Sequence, residues 1–136
     1  MATRHHARMA VVSLLYAYDL GNGKIADFSD EILEEKKIRN KQKDFALTLF
    51  DGVMEHLAPI DDAIVRHLKD WEFDRLGAIE RATLRLGAYE VLYTDLDPAV
   101  VINEAIEVAK AFGTEQSPKF INGVLDAIAK DKKADA

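Results

Sequence analysis

From Arg4 to Ile128 the apolar residues recur at three- and four-residue spacing, and no segment alternates apolar and polar residues with β-branched enrichment. That period lines apolar side chains along one face of a helix and argues against half-buried strands. Segments of this kind must bury their stripes against one another. The expected fold class is therefore all-α, a compact bundle of about seven helices. The 136 residues contain no repeat, low-complexity stretch or linker, which predicts one domain over 1–136, large enough for a proper core.

Local signals divide the chain. A first helix from about Arg4 to Leu20 has Ala7, Val11, Leu14, Leu15 and Tyr18 on one face and stops at Gly21-Asn22-Gly23. Ser29 or Asp30 is expected to cap a short second helix. Phe45, Leu49, Phe50, Val53 and Leu57 mark a third helix, and Pro59 suits the first turn of a fourth. Trp71-Glu72-Phe73 reads as a connector, with Asp74 capping a helix that places Leu76, Ile79, Thr83, Leu86 and Tyr93 together. Asp97-Pro98 starts the next helix and Gly113 ends it. This helix is apolar around most of its circumference, so it is expected in the middle of the bundle. Ser117-Pro118 starts the last helix, which buries Ile121, Val124, Leu125 and Ile128 and is expected to fray into a charged tail from about Lys130.

No stretch is apolar and long enough to span a bilayer. Arg4 and Arg8 before the uncharged run Met9–Tyr18 resemble a signal peptide, but no A-x-A site follows and the run is patterned as a helix. The absence of cysteine fits a reducing compartment, and the expected location is cytoplasmic, with no membrane partner.

No catalytic constellation is visible: there is no G-x-G-x-x-G, Walker A, G-x-S-x-G or H-E-x-x-H pattern. His5 and His6 are adjacent, about 100° apart on a helix, and would not chelate one ion together. Histidines satisfied by neighbours or solvent are the expectation, with no metal, cofactor, small-molecule substrate or enzymatic activity. Glu90 falls between Thr83 and Leu86 on an apolar face, where an acid is either paired or functional; with no second catalytic group in sight, pairing with an arginine or a helix terminus is the favoured reading. Tyr89, nearer the edge of that face, is open to the surface.

The formal charge of −6 gives no general attraction to nucleic acid, so any RNA contact has to be local. The basic stretch Lys36 to Lys43, interleaved with Glu34, Glu35 and Asp44, reads first as a solvated connector. Lys119 and Phe120 offer more. They open the last helix, where free N–H groups, a cation and an aromatic ring suit a phosphate and an unpaired base. Packing of Phe120 at the rim of the core is the equal alternative.

Three blocks carry a resemblance: RLGAIERATLRLGAYE from Arg75, VINEAIEVAK from Val101 and FINGVLD from Phe120. With Ala7-Arg8 and Leu15-Tyr16 they make the chain similar to the NusB family over most of its length, more loosely between Gly21 and Trp71. The resemblance implies a bundle of about seven helices. It also implies an RNA-binding antitermination factor that joins boxA of nascent rRNA transcripts together with ribosomal protein NusE, in the RNA polymerase antitermination complex. In that family the starts of the first and last helices contact RNA. Here these are Arg4, Arg8, Gln116, Ser117, Lys119 and Phe120. Tyr16 and Glu80 match the surface that faces NusE. The arginine cluster of the family is thinned here to Arg4 and Arg8.

Two alternatives stand beside this. A NusB-like domain also precedes the catalytic domain of rRNA cytosine methyltransferases, which needs a methyl-donor domain beyond Ala136. A helical scaffold without RNA binding is the other.

Overall fold

A computed structural model describes residues 3–68, 72–112 and 117–135, excluding the side chains of residues 72 and 117. Trp71, Gly113 and Gln116 and the Ser117 side chain, all given roles above, lie outside that set. The described residues form eight α-helices and a 3-10 helix. They are α1 (Arg4–Asp19), α2 (Ser29–Glu35), α3 (Lys41–Glu55), α4 (Leu57–Val65), α5 (Glu72–Arg75), α6 (Ala78–Tyr93), α7 (Pro98–Ala111) and α8 (Ser117–Ala134). The all-α class stands. The count exceeds the expected seven by one, because the segment around Asp74 is a separate turn of helix and does not cap the next one.

Several boundaries follow the sequence signals. Gly21 ends α1 at φ +104, a conformation glycine adopts without strain. Asp97 Oδ1 accepts the Ala99 N–H at 2.9 Å, with Pro98 opening α7 behind it. Others differ. Ser29 lies inside α2 and donates to the Ala26 carbonyl at 3.0 Å, closing a 3-10 helix over Ile25–Phe28 that the pattern did not announce. The cap of α6 is Gly77, with the Glu80 carboxylate folded against it. The chain does not fray at Lys130. α8 runs to Ala134, and Lys132 Nζ donates to the Val91 carbonyl at 2.7 Å.

The central helix is α6, not α7. Residues 82–88 are buried without interruption, and α6 packs against α1, α3, α4, α7 and α8. α7 buries Val101, Ala105, Val108 and Ala109 and keeps Asn103, Glu107 and Lys110 exposed. Hydropathy misleads here because α6 takes polar groups inside. Arg85 makes two 2.9 Å hydrogen bonds to Asp61 of α4 and one of 3.2 Å to Asp19 of α1. Burial opposes the Arg85 charge, but the bonds to Asp61 and Asp19 and the attraction of both carboxylates together outweigh it, and the guanidinium holds its proton more tightly than usual. Small residues complete the packing: Gly87 leaves room for the Leu125 side chain of α8. The core draws on every long helix, with Leu14, Phe50, Ile64, Leu84, Val108 and Leu125 all nearly inaccessible.

No helix among the described residues is long and apolar enough to cross a membrane. None of their His, Asp or Glu side chains cluster in threes around a possible metal site.

Candidate nucleic-acid interface

α1 begins with a reciprocal cap. Thr3 Oγ1 accepts the His6 N–H at 3.2 Å, and the Thr3 N–H donates to His6 Nδ1 at 3.3 Å. This fixes the first turn, and with it Arg4. The Arg4 guanidinium lies 4.6 Å from the centre of the Phe45 ring of α3 and has no carboxylate partner among the described residues. It is an exposed cation on an aromatic shelf, free to meet a phosphate.

Arg8 is placed differently from its expected role. Its side chain is 6% exposed, and Nε and Nη2 donate to the two Glu90 carboxylate oxygens at 2.8 and 2.9 Å. Burial opposes its charge, while the bonds to Glu90 and the attraction of Glu90 and Glu104 outweigh it and raise its pKa. Glu90 thus has the arginine partner its position required. Glu104 Oε2 is 3.6 Å from Arg8 Nη1 and 3.8 Å from His5 Nδ1, buried and without a hydrogen bond.

At the other candidate site, Lys119 is exposed and Phe120 half-buried, packed on the core just before the fully buried Ile121. Phe120 is therefore part core and part surface. The cap position before α8 falls at residue 116, outside the described residues.

A cleft of about 460 Å³ lies beside another face of α1. It is lined by His6, Met9 and Ser13 of α1, by Lys36, Lys37 and Ile38 between α2 and α3, and by Phe112 at the end of α7. Phe112 precedes the start of α8 by five residues, a span of at most about 18 Å. The basic stretch is not uniformly solvated. Arg39 and Lys43 both pair with Glu34, and the bond to Lys43 holds the Glu34 carboxyl below its usual range. Lys36 and Lys37 have no carboxylate partner among the described residues. Sequence reasoning missed Phe45 beneath Arg4 and Phe112 beside Lys36 and Lys37, since only tertiary packing brings these pairs together.

Tyr16 and Glu80 stand on two helices that pack together, α1 and α6. Tyr16 is 37% exposed, one turn before Asp19. Arg81, next to Glu80, donates to Asp19 Oδ2 at 2.6 Å and to the Phe73 carbonyl at 3.0 Å. The end of α1 and the beginning of α6 are locked side by side.

A sequence model of the NusB family matches residues 5–130. The transcription antitermination protein NusB of Sulfurimonas denitrificans is 79% identical over 97% of this chain and 100% of its own length. That of Nitratiruptor is 68% identical over 98% of this chain and 96% of its own. The Thermotoga maritima NusB structure superposes with a TM-score of 0.87 at 40% identity, covering 96% of this chain and 92% of that one. A NusB chain crystallised with NusE and double-stranded RNA gives 0.85 at 36% identity, covering 94% and 96%.

Proposed function

The chain belongs to the NusB family, and from that premise we propose that it is an RNA-binding transcription antitermination factor, joining boxA RNA together with NusE in the polymerase complex. The observation that carries this is the match to antitermination proteins along nearly their whole lengths. Two small cationic-aromatic sites, Arg4 on Phe45 and the Lys119–Phe120 turn, suit a single strand: phosphates to the cations, unpaired bases to the rings. Gln116 and Ser117 adjoin the second site in sequence.

Arg8 serves this surface from below. Its bidentate bond to Glu90 anchors the first turns of α1, on which Arg4 stands. The Tyr16–Glu80 surface receives NusE. With a net charge of −6, the protein relies on that basic partner for further phosphate contacts. The relatives matched along nearly their whole lengths are named antitermination proteins, which favours this over the methyltransferase-domain reading. We assign the chain no catalytic role and place its work in the cytoplasm, as a single folded unit.

Titration of labelled boxA RNA with and without NusE tests the proposal. Weak binding alone and much tighter binding with NusE is the expected result. Equal affinity in both titrations, or none in either, overturns it.

A further inference from the structure

The cleft beside α1 combines apolar and cationic lining. Met9, Ile38 and Phe112 contribute apolar and aromatic lining, while Lys36, Lys37 and His6 contribute donors. Among the described residues the two lysine ammonium groups have no carboxylate partner, although Glu34 neutralises Arg39 and Lys43 only a few residues away. Lys37 stands at φ +61, where glycine would be unstrained; a lysine there keeps a cation at the cleft at a conformational cost. His6 is pre-set as well. Its Nδ1 accepts the Thr3 N–H, which holds the ring in place. About 460 Å³ lies within the range of small-ligand clefts, roughly 300–1,000 Å³.

A ligand suited to this lining has a flat apolar face, acceptors at its edge and negative charge beside it. An unpaired nucleotide has all three. We infer that the cleft is a nucleotide subsite, which takes RNA running beyond the α8 contact, with a base against Phe112 and its flanking phosphates on Lys36 and Lys37. The inference rests on the RNA reading above and extends its footprint to the α2–α3 connector. A base inside a duplex cannot enter, so the subsite requires a single strand.

Salt titrations with the protein–NusE complex test it. The probes are single-stranded boxA RNA and the same RNA extended at each end by about six nucleotides, since single-strand sites span roughly 4–16. A Lys36→Gln/Lys37→Gln protein is expected to match wild type on the short RNA. On the extended RNA its salt slope should fall by about 1.4, two phosphates at about 0.7 each, so that between about 50 and 200 mM salt wild type loses about seven-fold more affinity than the variant. With 5-iodouridine in the extension, photocrosslinks should map to Phe112 or His6 of the wild-type protein. An unchanged slope on the extended RNA, with Lys119→Ala still lowering it, overturns the subsite and leaves the RNA surface standing. If Lys119→Ala and Arg4→Gln alter binding of neither RNA, the RNA reading itself fails and the subsite falls with it.

Discussion

Glu90→Gln would isolate what the buried Arg8–Glu90 pair does. The substitution keeps the shape of the side chain and removes its charge. Arg8, 6% exposed, then faces a neutral amide, with Glu104 at 3.6 Å as its nearest remaining anion. Breaking a buried ion pair from one side costs about 3–5 kcal/mol, and the residual attraction of Glu104 puts this case near about 3. An unfolding entropy of about 2.1 cal/mol/K per residue gives about 0.29 kcal/mol/K for 136 residues, so the melting temperature should fall by about 10 °C. The double variant Arg8→Met/Glu90→Leu removes both charges and should recover most of that loss, because apolar replacements of buried pairs are often close to neutral. Thermal melts of the three proteins read this directly. The double variant then serves as a probe of function. If Arg8 works only through the helix it anchors, boxA binding with NusE keeps its salt slope. A melting shift under about 3 °C for Glu90→Gln, or a slope loss of about 0.7 in the folded double variant, would refute the reasoning; the second result would make Arg8 a phosphate contact.

Lys119→Ala should lower the salt slope by about 0.7 with an unchanged melt, while Phe120→Ala should lose about 1–3 kcal/mol of RNA binding without changing the slope, and also melt lower, because its ring is partly core. Tyr16→Ala should weaken NusE binding in calorimetry and leave the melting temperature in place, since the ring is 37% exposed. Gly52→Ala drives a Cβ into the Tyr89 ring, which stacks on Tyr93 at 5.6 Å and sits beside His56; an overpacking cost of about 1–3 kcal/mol should appear as a lower melt and a weaker near-ultraviolet tyrosine signal.

Local rules were legible where local chemistry decides. Asp97-Pro98 and Gly21-Asn22-Gly23 place their helix ends because a cap or a positive φ depends on the residue itself. Asp74 failed as a cap because the path from Phe73 to Gly77 is set from outside, by Arg81 gripping the Phe73 carbonyl and Asp19 of α1. Glu90 could be read as needing a partner, but Arg8 could not be named, lying 82 residues away. One signal did exist: Arg8 lines up with the buried Val12 and Leu15 at helical spacing, which marks an inward-facing position. Nothing local tells Lys36 and Lys37 apart from Arg39 and Lys43. The difference lies in which of them reach Glu34.

The long loops closed by polar side-chain pairs have a consequence during synthesis. Arg8 waits 82 residues for Glu90, Asp19 waits 62 for Arg81, and His67 waits 64 for Asp131. At about 5–20 residues per second, roughly 4–16 s separate the making of Arg8 from that of its carboxylate. Through that interval α3 can already cover part of the apolar face of α1, while the part meant for α6 stays open and a cation meant for the interior is still in water. The burial of Arg8 is thus timed by the arrival of α6.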